Sequence, residues 1–446
     1  VSVPAARQPG DERKEVLGAA LRAFGDTLRR RQDVVRALQW GFVALYLFLL
    51  FVPLLAPLAP AHGAFFARVA HWAEALFWGF WWPAVILSMM LFGQFWCGVF
   101  CPDGALTEFA SRRGLGRKIP PWMRRAALPL ALFALIVVYE HLSGARHSHG
   151  GTLLVLGTVS LGAVLTGLLY GRGKRVWCRY LCPTASIFSM LARCAVLHFK
   201  VDREAWDRAP RPLPGAVDCP LLLDVRRLRS NEKCSMCGRC SGHRDAVRLA
   251  WRAPGQELAT LGDGEVREWE AVGILFVLIG LFYGAMHWQG SAWHGWLAAA
   301  LGGAGGWRGG TAAALLAILL AAGTLGGTIG LLLLAAARGR YREACRLAYG
   351  LIPLGGAGLM LGAMEHSFAI LRRADVLLDA THLHALRAMV LMVAAAWSVV
   401  LGMRMQRAVG RARGFYPMSV LLLLIAYLFA PVSPAILAGL QAVAAA

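Results

Sequence analysis

Long apolar runs separated by polar, arginine-bearing stretches set the pattern of the chain. Crossing a ~30 Å hydrocarbon core takes about 20 apolar residues as a helix. On that measure the pattern predicts nine spans, at 38–60, 74–96, 125–141, 152–170, 270–288, 311–336, 347–370, 385–403 and 417–443. The third is short, and Pro431 and Pro434 interrupt the last. The expected fold is an all-α polytopic membrane protein of about nine transmembrane helices, with membrane lipid as its main solvent.

Composition agrees with that expectation. Hydrophobic residues make up 58% of the 446 and charged residues 16%, where soluble proteins carry roughly a quarter charged. The net charge of +21 resides in the loops, so it reads as an orientation signal and not as a nucleic-acid footprint. Segments 1–37, 97–124, 171–269, 337–346 and 404–416, with their boundary residues, hold all but six of the 46 Lys and Arg. The six are Arg68, Arg146, Arg308, Arg372, Arg373 and Arg387. The expected placement is a bacterial inner membrane, with a cytoplasmic N-terminus and a periplasmic C-terminus. No short apolar region of signal-peptide type precedes the first run. Trp72, Trp78, Trp81, Trp82, Trp288, Trp293 and Trp296 fall near span ends, as interfacial aromatics do. The chain then divides into a basic segment 1–37, a four-span unit 38–170, a cytoplasmic insert 171–269 suited to short helices and turns, and a five-span unit 270–446.

A repeat lies in the first half. Span two runs into Trp96-Cys97-Gly-Val-Phe-Cys101-Pro102, and span four into Trp177-Cys178-Arg-Tyr-Leu-Cys182-Pro183, 81 residues later. Each is followed by an amphipathic stretch. Spans one to four read as a duplicated hairpin that brings two Trp-Cys-x3-Cys-Pro loops to one membrane face.

The cysteines are at 97, 101, 178, 182, 194, 219, 234, 237, 240 and 345. All fall at or near the expected cytoplasmic face, where a reducing environment favours metal ligation over disulfides. Cys234, Cys237 and Cys240 have the C-x2-C-x2-C spacing that wraps one [4Fe–4S] cube. The Cys-Pro that ferredoxins place next is absent, and Arg244 stands there. Cys219-Pro220 is the natural donor of the fourth ligand. Zinc is the competing reading, with His243 closing a site on the triplet. The two Cys-x3-Cys-Pro pairs form a second four-thiol set, for which a second [4Fe–4S] cluster, a soft metal such as Cu(I) or zinc, and redox-active dithiols all have suitable chemistry. Cys194 and Cys345 are left over as ordinary buried thiols.

The two Cys-x3-Cys-Pro loops at hairpin ends, followed by a ferredoxin-type triplet, resemble the NapH/NosR-type membrane polyferredoxins over about residues 38–250. The resemblance rests on Cys97, Cys101, Cys178, Cys182, Cys234, Cys237 and Cys240. It implies a ferredoxin-like insert and quinol-linked electron transfer, with relatives in cofactor maturation. Such relatives generally carry two full ferredoxin motifs, and the NosR type adds a periplasmic flavin domain. This chain has one triplet and no such domain, and 270–446 has no counterpart among them.

Toward the expected outer face, spans three, five and seven end at Glu140-His141, Met286-His287 and Glu365-His366. Ionisable residues at membrane depth are functional candidates, and Glu beside His suits proton acceptance from a quinol. The same His141, His287 and His366 suit a b-type haem or copper, and His147, His149, His382 and His384 have metal-ligand spacing. The plain alternative is a set of hydrated interfacial side chains. No C-x-x-C-H occurs, which argues against covalent haem. The glycine-rich stretches 323–330 and 355–362 lie inside apolar runs and predict close helix packing.

These features favour a membrane electron-transfer protein with two [4Fe–4S] clusters, exchanging electrons with the quinone pool or a redox partner protein. The competing class is a copper-handling or cofactor-assembly factor for a periplasmic enzyme. A transporter with redox-sensing clusters is weaker, because spans five to nine, which leave room for it, show no mid-span charged pairs.

Overall fold

The computed structural model describes residues 9–58, 69, 72–145, 148–209, 217–302, 306–373, 380–407 and 415–429. A helix occupies each of the nine apolar runs. Among the described residues, seven helices are long and apolar enough to cross a membrane: Gln32–Leu55, Trp72–Phe92, His149–Leu169, Glu268–His287, Gly309–Ala336, Tyr341–Glu365 and His382–Gln406. Of the nine expected spans, seven meet this length; the other two coincide with shorter apolar helices, Leu128–Ser143 and Phe415–Phe429. The 16 residues of Leu128–Ser143 rise only about 24 Å at 1.5 Å each. Pro129 fixes its first turn, and Gly144, left-handed at φ 62°, ends it. Pro431 and Pro434 lie outside the described residues, as do Arg68, Arg146 and His147.

The expected loop 337–346 is also shorter than its polarity suggests. The helix restarts at Tyr341, with Ala344, Cys345, Leu347 and Ala348 buried and Tyr341 and Arg342 exposed. Its charged side chains lie on the outer face of a helical turn and do not interrupt it.

Close glycine contacts set the packing of the second half. A Cβ at Gly280 would lie 2.6 Å from the Ala322 carbonyl oxygen, and one at Gly326 2.7 Å from that of Leu275. The stretch 323–330 therefore packs as expected at Gly326, although Gly323 and Gly327 face open space. Two spans contain π-helical segments, Ala75–Trp81 and Gly273–Leu281.

The chain is mostly helical, as expected, and the insert adds one two-stranded sheet to its short helices and turns. Strands β1 (Leu197–Val201) and β2 (Val247–Trp251) pair antiparallel, with Leu197 opposite Trp251 and Phe199 opposite Leu249. Alternation buries Phe199, Val247 and Leu249 on one face, against Val225, Cys234 and Met236. The basic N-terminal segment is mostly a helix, Pro9–Arg30, laid on β2. At Gly25 a Cβ would come within 2.8 Å of Ser241 Oγ and 3.1 Å of Leu249 Cβ. The segment thus belongs to the insert's own packing.

A buried ion network fastens the insert to the second membrane half. Arg193 Nη2 lies 3.1 Å from both Glu232 and Glu270 carboxylates, and the Tyr349 hydroxyl donates to Glu270 at 2.6 Å. Arg252 pairs with Glu257 at 2.7 Å. Glu257 in turn accepts from the Asn231 amide, three residues before Cys234.

Candidate metal centre

The two Cys-x3-Cys-Pro loops repeat in space as they do in sequence. Cys97 sits in a one-turn helix, Phe95–Val99, and Cys178 in its counterpart, Val176–Tyr180. The Trp96 carbonyl accepts from the amides of Phe100 and Cys101 at 2.9 and 3.0 Å; the Trp177 carbonyl accepts from Leu181 and Cys182, both at 2.8 Å. In the first copy Pro102 opens the next helix, Pro102–Arg113, leaving Cys101 at its N-cap. In the second, Thr184 caps Ala185–Ala192, and its hydroxyl lies 3.3 Å from Cys182 Sγ.

Mutual electrostatic influence sorts the eight framework thiols into the two expected groups. Cys97 feels Cys101, Cys178 and Cys182. Cys240 feels Cys219, Cys234 and Cys237. Backbone amides of Leu221 and Leu223 donate to Cys219, that of Met236 to Cys234, and those of Thr184 and Ala185 to Cys182. Burial pushes the thiols of Cys97, Cys178, Cys219 and Cys240 up, Cys101 and Cys234 to about 12, and Cys182 to about 11. Ionising so many buried thiols requires a compensating cation, which a bound metal centre would supply. The donor set, with amides aimed at sulfur, fits iron–sulfur ligation.

Among the described residues, no three His, Cys, Asp or Glu side chains converge closely enough to hold a single metal ion. His243, a zinc ligand only in the competing reading, packs its ring on Trp206 at 5.1 Å and neighbours Arg244 and Arg29. Arg244 itself lies over the Trp206 ring at 4.9 Å, in a left-handed turn of φ 55°. Cys194 and Cys345 are buried outside both groups.

The two thiol groups abut. A Cβ at Gly98 would clash with the Ser235 carbonyl oxygen and lie 2.9 Å from the Cys237 amide nitrogen. Only glycine admits that approach. Gln39 donates to the Gly98 carbonyl at 2.8 Å, and Gln94 to that of Glu232 at 2.7 Å. Beside this contact lies an Arg–Glu–Arg triad. Arg175, 1% exposed, donates from Nε to Glu108 Oε2 at 2.8 Å and from Nη1 to the Cys97 carbonyl at 3.0 Å. Arg239 Nη2 donates to both Glu108 oxygens, at 2.7 and 2.9 Å. Burial would raise the Glu108 carboxyl, but the two arginines outweigh it and hold it at about 2.

A cavity of about 270 Å³ opens from the four loop thiols. Its wall includes Trp78, Trp81, Trp82, Trp96, Phe133 and Phe282, and Glu140 and His141 also line it. The π-helical turn Ala75–Trp81 supplies Phe77, Trp78 and Trp81 to this wall. His141 Nδ1 donates to the Val137 carbonyl at 2.7 Å, which assigns the proton-accepting role to Nε2. Asp103 lies at the thiol end, where burial raises its carboxyl to about 6 against the pull of a 2.6 Å bond from Ser160.

The other expected outer residues are not gathered there. His287 packs on Tyr283 at 5.1 Å, and Glu365 accepts from Arg387 at 2.8 Å. His366 follows Glu365 on its helix, and its side chain lies outside the described residues. His382 and His384 are both exposed. Glu108, Arg175 and Arg239 were not signalled by spacing; the sole hint was a basic residue two or three positions before Trp177 and one just before Cys240.

Comparison with known proteins bears on the same loops. The sequence profile of the 4Fe–4S binding domain matches the chain twice, over residues 74–125 and 153–204. Two stretches of the chain are therefore similar to a 4Fe–4S binding domain, and each holds one Cys-x3-Cys-Pro loop. A curated, uncharacterized protein of Methanocaldococcus jannaschii is 27% identical over 165 residues, 35% of this chain. The chain spans 63% of that relative's length. No solved structure matches.

Proposed function

We propose that this chain is a membrane electron-transfer protein that carries two [4Fe–4S] clusters and exchanges electrons with a quinone. Cys97, Cys101, Cys178 and Cys182 would hold one cluster, and Cys219, Cys234, Cys237 and Cys240 the other. Each bound cluster accepts and donates one electron. The observation that carries the reading is one aromatic-walled cavity lined both by the four loop thiols and by Glu140 and His141. Trp78, Trp81 and Phe282 suit the faces of a planar quinone ring. Glu140 and His141 Nε2 would take the protons that hydroquinone releases as its two electrons leave.

Thiols spread around a cavity favour a cluster cage over one zinc or copper ion, since thiolates on a single tetrahedral zinc stand only about 3.8 Å apart. The expected kinship with the NapH/NosR-type polyferredoxins, a redox partner protein at the insert, and an inner-membrane location with the clusters on the cytoplasmic side complete the reading.

Anaerobically purified protein should contain about eight irons with matching acid-labile sulfide and show EPR signals on reduction by a quinol. Cys97→Ser with Cys178→Ser should remove about half the iron. Stoichiometric zinc or copper without sulfide would overturn the assignment. His141→Gln should slow quinol-driven reduction at least tenfold with iron content unchanged; an unchanged rate would exclude the cavity as the quinone site.

A further inference from the structure

The Arg175–Glu108–Arg239 triad touches the backbone of both thiol groups. Arg175 donates to the Cys97 carbonyl, and its own amide donates to the Pro220 carbonyl, next to Cys219, at 2.8 Å. Its charge reaches Cys178 in one group and Cys237 in the other. Arg239 precedes Cys240 and donates from Nε to Gln32 Oε1 at 3.1 Å; Gln32 Nε2 donates to the Cys237 carbonyl at 3.0 Å. Glu108 is almost buried and both its oxygens are taken by the arginines. The triad carries two positive charges and one negative, largely shielded from solvent, where charges act at low effective dielectric; Arg112, about half exposed and so screened by water, also pairs with Glu108 Oε1, at 2.7 Å.

A fold-holding role alone would be met by neutral hydrogen bonds or by apolar packing, because buried ion pairs rarely add net stability over well-packed apolar groups. Two features go beyond that. The charges do not cancel, and the uncancelled one sits where the two thiol groups meet. Adding an electron to a cluster makes it more negative, and a fixed positive charge nearby favours that state.

We propose that the triad is the shared electrostatic control of both clusters: its net positive charge raises their reduction potentials together and keeps them matched for transfer across the Gly98–Cys237 contact. Arg175, Glu108 and Arg239 are positioning residues in this role, since none is a cluster ligand. The inference rests on the two-cluster reading.

The test is an EPR-monitored redox titration of intact, cluster-loaded protein with dithionite as reductant, alongside iron and sulfide counts. Arg239→Gln and Arg175→Gln should lower the reduced-to-oxidised ratio of both clusters at a fixed poise about tenfold, a 59 mV shift for one electron. Glu108→Gln should shift both in the opposite direction, and Arg175→Lys should stay near the wild-type value. Arg239 is 19% exposed in its side chain, so its variant keeps the test decisive where Arg175→Gln loses iron. Unmoved potentials in fully loaded Arg239→Gln and Glu108→Gln would overturn the proposal. So would shifts of one sign in both, or failure of all three variants to load, since each outcome describes a structural role. Wild-type protein lacking two clusters would instead overturn the underlying reading.

Discussion

At the scale of single residues, Gly98 is the tightest constraint in the centre. Gly98→Ala would drive a methyl group into the Ser235 carbonyl. That is backbone against backbone, with no flexible side chain to yield. It should cost at least half the iron, read as iron and acid-labile sulfide per chain, whereas Gly41→Ala, with nothing within 4 Å, should be neutral. Glu108 gives a pH dependence of defined sign. Its folded-state carboxyl sits at about 2, below the ordinary 4.5. The stability it adds is therefore complete above pH 4.5 and disappears as the pH falls through 2. In denaturant unfolding of the apoprotein in detergent, Glu108→Gln should be less stable by on the order of 3 kcal/mol at pH 7, and the gap should close toward pH 2. The cysteines were legible in the sequence because ligand spacing is local. Glu108 and Arg175 were not, because they lie 67 residues apart and only folding makes them partners.

At the scale of elements, the duplicated hairpin was legible because both copies keep the Trp-Cys-x3-Cys-Pro string, and the matching Trp96 and Trp177 carbonyl bonds realise it. Local spacing made the triplet the stronger signal, yet the 4Fe–4S profile falls on the paired loops and leaves Cys234–Cys240 outside. The strand pair was less legible, since β1 and β2 are five residues each and separated by the whole Cys219–Cys240 loop system. The Arg193 network was hidden for a related reason: Glu232, Glu257, Glu270 and Tyr349 come from four separate stretches. Glu270→Gln removes one of the two carboxylates at Arg193 Nη2, with Glu232 remaining at 3.1 Å, and should lower stability by about 1–3 kcal/mol. The same unfolding measurement checks it, with Tyr349→Phe losing about 1–3 kcal/mol.

At the scale of the whole molecule, the meeting of the two loops constrains the path of the chain. Cys97 and Cys178 share one site, so the chain between them must return to the face it left. His149–Leu169 is long enough to cross, and Leu128–Ser143 must then cross as well, although its 16 residues fall short of a typical bilayer. Local thinning of the bilayer accommodates such a mismatch at modest cost. Alkaline phosphatase, active only outside the cytoplasm, should be active when fused after residue 147 and inactive after residues 120 and 171. Activity at 171 would refute the shared-face arrangement. Span positions were readable from hydropathy, whereas the adequacy of Leu128–Ser143 was not, because length alone does not reveal what the neighbours require of a helix.

The seat of the Pro9–Arg30 helix on β2 and Ser241 has a consequence for biogenesis. This helix has no complete docking surface until the chain has been made through β2, which ends at Trp251. By then all eight framework thiols are present. The N-terminal helix can therefore seat beside the triplet, where Leu28 meets Gly238, only once every one of those thiols has been made.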